Sequence, residues 1–151
     1  MAFTVEETFL EYNVAPLASR RDIGMLGLIH KCVHGTAHED LQGLFPRCPP
    51  VRHSHDTKFQ KHRHPLQLVE SRPGTHHALL RRSLAGLVRV WNRLPEKVVQ
   101  ANTVSGMQTN LTSMLRTVCR QGEQGWKEVF SPRPLILKEA PFFEQLLASA
   151  Y

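Results

Sequence analysis

Apolar residues recur at helical intervals through most of the chain, and the widest such pattern sets the expected fold class. Ile23, Met25, Leu26, Leu28, Ile29, Cys32 and Val33 fill a broad stripe, as a well-buried helix requires. Gly35 marks its stop. Ser19, with Asp22 three places later, has the form of a capping box in its weaker Asp version. Gly24 and Gly27 lie inside the pattern and predict close helix packing, not a phosphate loop. Upstream, Val5 to Val14 reads as a short helix with Val5, Phe9 and Tyr12 roughly on one side, ended by Pro16. Thr36 with Glu39 opens one more turn, running to about Phe45.

In the second half, Leu84, Leu87, Val88, Trp91 and Leu94 keep helical spacing, and Pro95 is placed to begin a turn over Glu96 to Gln100. Asn102 or Thr103 can cap the next helix. That helix carries Val104, Met107, Leu111, Met114, Leu115 and Val118 in a 3-4 rhythm, with Gly122 as its stop. Trp126, Val129 and Phe130 form a compact turn before Ser131-Pro132-Arg133-Pro134 breaks the chain. Pro141 to Ala148, with Phe142, Phe143, Leu146 and Leu147, reads as a final short helix. Leu66-Gln67-Leu68 is the one short alternation that points to extended structure. The expected fold is therefore mainly α: a single domain over residues 1–151, with five or six short helices and one small β-hairpin near residues 65–83. Helical parts 5–45 and 84–130 flank a loop-rich segment, 47–82. A length of 151 residues suits one core, and aromatics at 7% leave most of that core to aliphatic side chains.

Charge changes the picture more than composition does. The chain carries a net +6, and the stretch from Arg47 to Arg82 holds eight Lys or Arg against two acids, so its local balance equals that of the whole chain. Six of the nine histidines lie there too. A local basic segment makes a local field that favours a polyanion. Arg52, Lys58, Lys61, Arg63, Arg72, Arg81 and Arg82 are the candidate phosphate contacts. Phe59 and the histidines interleave with them as planar groups that can stack on unpaired bases. The bland alternative is a solvated loop. No recognition-helix or zinc-finger pattern supports sequence-specific readout.

Catalysis finds less support. The three aspartates, Asp22, Asp40 and Asp56, are scattered, with no Asp-Asp or Asp-x-Asp to hold two metal ions. His30, His34 and His38 are spaced by four, but Gly35 interrupts the helix that would align them; Cys48, His53 and His55 match no common zinc module. Cys32 falls on the apolar stripe, and Ser83 and Ser105 sit near no obvious base. No catalytic residue, metal site or cofactor is expected. The three cysteines, odd in number and without Cys-x-x-Cys spacing, fit a reducing compartment, hence a cytoplasmic or nuclear location. The first ten residues lack the pattern of a signal peptide, and no apolar stretch approaches a membrane-spanning length.

One stretch goes beyond composition. Arg81-Arg82-Ser83-Leu84-Ala85-Gly86-Leu87-Val88-Arg89-Val90-Trp91-Asn92-Arg93-Leu94-Pro95 resembles the tail of non-LTR (LINE-type) retrotransposon reverse transcriptases, with its arginine-serine start, aromatic-Asn pair and Leu-Pro. Ala15 to Ile23 with Met25 to Lys31 resembles the upstream helix of that tail, Leu66-Gln67-Leu68 its extended segment, and Val104-Ser105-Gly106-Met107-Gln108 the start of its next helix, where Phe-Gln is more usual. The matches keep their order over roughly residues 10–131. The resemblance implies an origin in a protein that copies RNA into DNA. The catalytic core of such proteins lies outside this region, so no catalytic residue carries over. In the matched stretch, Trp91 and Leu94 read as core anchors and Asn92 as a capping or turn residue; Arg20 and Arg21 form a basic helix start open to a phosphate or carboxylate. The expected function is accessory nucleic-acid binding, with RNA or DNA, and other domains of a reverse transcriptase, as partners. The rivals are a protein-interaction module or non-functional remnant, with the stripe at Ile23 to Val33 or Val104 to Val118 facing a lost partner, and a metal-dependent hydrolase using the histidines.

Overall fold

The computed structural model describes residues 4–49, 64–70 and 83–132. Six α-helices follow one another along these segments: α1 (Val5–Glu11), α2 (Leu17–Val33), α3 (Glu39–Gln42), α4 (Leu87–Trp91), α5 (Glu96–Val99) and α6 (Val104–Arg120). Short 3-10 turns at Leu84–Gly86 and Trp126–Glu128 lead into α4 and follow α6. The fold is mainly helical, as the periodicity predicts. The helix expected at residues 141–148 lies outside the described residues.

α2 and α6 form the frame. They run antiparallel: Gly27, near the end of α2, faces Val104 and Gln108 at the start of α6, while Ser19 donates to the Lys127 carbonyl beyond α6's end at 2.9 Å. The two stripes read from sequence bury against each other and against α4: Ile23, Leu26, Ile29, Cys32 and Val33 from α2, Met107, Leu111, Met114, Leu115 and Val118 from α6, with Trp91 and Leu94 fully enclosed. Such burial supplies about 1.5–3 kcal/mol per large side chain. Both long helices end on glycines in left-handed conformation. At α2, Gly35 has φ +71°, and the amides of Gly35 and Thr36 return to the carbonyls of Cys32 and Lys31, closing a Schellman motif. Gly122 (φ +76°) ends α6 with its amide donating to the Cys119 carbonyl at 3.0 Å.

Two local expectations are corrected. The capping box at Ser19 does not form, because α2 begins earlier, at Leu17; the Ser19 hydroxyl is buried inside the helix, tying it to the turn after α6. The capping box lies instead at Thr4 and Glu7, on α1. α1 does not bury Val5, Phe9 and Tyr12, which are exposed; it docks through Leu10, with Arg116 donating to Leu10 O and Asn13, Arg120 paired with Glu11, and Lys127 with Glu6. The extended segment at Leu66–Leu68 exists as an isolated antiparallel bridge between Leu68 and Arg47, upstream, instead of within a hairpin over 65–83, of which 71–82 lie outside the described residues.

Candidate nucleic-acid interface

The seven residues 64–70 are held as a clip against the end of α4, and their anchors are Trp91 and Asn92. α4 ends at Trp91, so the Trp91 and Asn92 carbonyls are not taken up by a continuing α-helix; Trp91 O accepts from Leu94 N at 3.1 Å and keeps a second lone pair free. Those carbonyls meet the clip: His64 donates from Nε2 to Trp91 O at 3.0 Å, and Gln67 donates from Nε2 to Asn92 O at 3.3 Å. In return the buried Trp91 indole N–H donates to Leu66 O at 2.8 Å. Asn92 takes the place of a neighbouring strand: its Oδ1 accepts from Leu68 N at 2.8 Å and its Nδ2 donates to Leu68 O at 2.9 Å. The residue expected to cap or turn thus carries the clip. Beyond Leu68, Glu70 pairs with Arg89 at 3.3 Å. On the opposite side, Cys48 N donates to Gln67 O and Val69 N to Pro46 O, both at 2.9 Å, and Arg47 reaches Val33 O at the end of α2.

The clip separates two segments, 50–63 and 71–82, that contain every candidate phosphate contact: Arg52, Lys58, Lys61, Arg63, Arg72, Arg81 and Arg82. These lie outside the described residues, as do Phe59, His53, His55, His62, His76 and His77. What the structure fixes is where the segments join the fold. The first leaves beside the Arg47–Leu68 bridge and returns at His64; the second leaves at Glu70 and returns at Ser83, whose hydroxyl accepts from Ala85 N ahead of α4. The described residues hold ten Lys or Arg and ten Asp or Glu, a balance of zero. The two segments hold seven cations and one acid, which is the +6 of the whole chain.

Other candidate chemistry is placed as follows. Arg21 lies 3.9 Å from the buried Asp22, and Arg20 is exposed near the start of α2. His30 and His34 stack with ring centroids 4.2 Å apart, while His38 sits beyond Gly35 and accepts from Asp40 N at the start of α3. Among the described residues no three His, Cys, Asp or Glu gather where a metal ion would be held. Burial pushes the thiols of Cys32, Cys48 and Cys119 up from their ordinary range, so they sit as thiols at neutral pH. The Arg120 guanidinium, hydrogen-bonded to Glu11, holds that carboxyl below its usual value. No helix among the described residues is long and apolar enough to cross a membrane.

The chain matches no protein-family model, no curated protein and no solved structure.

Proposed function

We propose that the chain is a non-catalytic nucleic-acid-binding accessory region, of the kind found beyond the polymerase core of non-LTR retrotransposon reverse transcriptases. The observation that supports this most is the division of charge. A charge-balanced helical scaffold carries two segments with all the net charge, and both are joined to it around one seven-residue clip. Phosphate contact by Arg52, Lys58, Lys61, Arg63, Arg72, Arg81 and Arg82 releases counterions, so affinity falls steeply with salt. The Trp91-Asn92 pair and Leu66-Gln67-Leu68, two of the motifs that carry the family resemblance, are bonded to each other, which gives both a common structural reason.

Fluorescence anisotropy with short single-stranded RNA and DNA at two salt concentrations tests the reading. Binding at low salt, weakened about tenfold or more by moderate salt and by Lys58→Ala, Lys61→Ala and Arg63→Ala together, supports it. Affinity that is flat with salt, or no binding at low salt, overturns it.

A second reading is a protein-interaction module. The stripes expected to face a partner are consumed by the chain's own core, but Val5, Phe9, Tyr12, Val14 and Leu17 remain exposed on and after α1. Self-association abolished by Phe9→Ser with Tyr12→Ser would favour it.

A further inference from the structure

Trp91 meets two imidazoles, and a third stacks on one of them. His30 meets it edge-on at 6.3 Å between ring centroids, His64 at 6.1 Å with the rings perpendicular, and His34 stacks on His30. Each of the three bonds through Nε2 to a main-chain carbonyl: His30 to Ala101 at 2.8 Å, His34 to Val99 at 2.9 Å and His64 to Trp91 at 3.0 Å. A carbonyl oxygen only accepts, so every Nε2 carries the proton, and in the neutral ring every Nδ1 is bare. His64 uses its bare Nδ1 to accept from Leu66 N at 3.2 Å. His30 Nδ1 is buried without a partner.

We propose that His30, His34 and His64 form an acid-sensitive latch, closed when neutral, that holds residues 64–70 and the α5–α6 connection against α2 and α4. The inference stands apart from what the basic segments bind. A proton arriving on any of these rings enters at Nδ1. On His64 it removes the acceptor of the Leu66 amide and sets two donors against each other. On His30 it places a charge on a side chain only 2% exposed, with no acceptor and a second imidazole stacked against it. Burial already holds the His30 pKa below its ordinary value, and His34 lowers it further, against the opposing bond to Ala101. The other charged or titratable groups on the surrounding elements are Arg20, Arg21, Asp22, Lys31 and Cys32 on α2, Arg47 and Cys48 at the bridge, Glu70 on the clip, Arg89 and Arg93 on and after α4, Glu96 and Lys97 on α5, and Arg116, Cys119 and Arg120 on α6. Of all these and His34, His34 alone acts on the His30 ring through charge. Glu70 is engaged by Arg89, and Glu96 by Gln100.

The sign follows. The His30 ring, once freed, titrates near the ordinary value of about 6.5, and in the closed latch its burial lowers it. The open state therefore takes up protons first, and closure is progressively lost as pH falls below about 6.5.

The test uses the full chain with Trp126→Phe, so that Trp91, whose indole is bonded to the clip, is the sole tryptophan. Its emission is followed from pH 8 to pH 5 beside far-ultraviolet circular dichroism. The expected result is a red shift in one step below about pH 6.5, with the helical signal retained. In His30→Gln with His34→Gln, which keep N–H donors but do not titrate, the midpoint moves lower by at least about half a pH unit, roughly a threefold change in proton concentration. Emission that is flat to pH 5, or a midpoint unmoved by the double substitution, overturns the latch. Should the double variant lose its helical signal at pH 8, nitrogen-15 resonances of the histidines in the unsubstituted chain decide. Nε2–H tautomers for all three, with His30 titrating below its ordinary value, sustain the proposal; an Nδ1–H tautomer or ordinary titration of His30 refutes it.

Discussion

At the scale of single residues, Asn92 carries more than its chemistry announces. An asparagine at the end of a short helix ordinarily satisfies a nearby main-chain group. Here both polar atoms of its amide bond Leu68, 24 positions earlier in the chain, and the amide nitrogen also reaches Glu70. Asn92→Ala leaves the buried Leu68 amide and carbonyl without partners, at about 1–3 kcal/mol for each group lost. Urea unfolding should show a loss of about 2–6 kcal/mol with helix content unchanged in the absence of denaturant. Trp91 and Leu94 were legible as core anchors because helical spacing names buried positions directly. The partner of Asn92 was not, since periodicity describes one element at a time and says nothing about which distant backbone needs a donor and an acceptor. The sole hint was a polar residue set among buried positions, between Trp91 and Leu94.

At the scale of elements, two glycines in one helix separate cleanly. Gly27 packs against α6: a methyl group there would stand 2.6 Å from the end of the Gln108 side chain and 3.0 Å from Val104 Cγ1. Gly24 faces open space, with nothing within 4 Å of the same position. Sequence treats the pair alike, as packing residues; only Gly27 is one. Gly24→Ala should raise stability by about 0.5–1 kcal/mol through helix propensity alone. Gly27→Ala should gain less, because the same propensity is offset by displacing Gln108 and crowding Val104. Thermal unfolding of the two variants side by side distinguishes them. The helix positions themselves were largely readable, since stripes, stop glycines and the Thr103 cap, which accepts from Gly106 N at 3.0 Å, are local signals. What eluded pattern was the fate of α1. Its apolar side was plain, but α6 meets α1 with Arg116 and Arg120, so α1 docks by ion pairs and Leu10 while Phe9 stays exposed.

At the scale of the whole molecule, the division of charge was readable from sequence as far as the basic stretch itself. That the stretch is pinned at its middle required the structure. Replacing residues 50–63 and 71–82 with uncharged sequences of equal length should remove binding to single-stranded nucleic acid and leave the helical signal intact. Gel-shift and circular dichroism measurements on one variant check both halves.

The clip also has a consequence in time. Its acceptors, Trp91 O and Asn92 O, come into position only once the last turn of α4 exists, although Leu68 itself belongs to the buried cluster that α2, α4 and α6 share. A contact completed after the transition state, when lost, changes the rate of escape and not the rate of arrival. Asn92→Ala, which removes the polar anchors of Leu68, is therefore expected to speed unfolding while refolding keeps its former rate, and stopped-flow kinetics in both directions checks it.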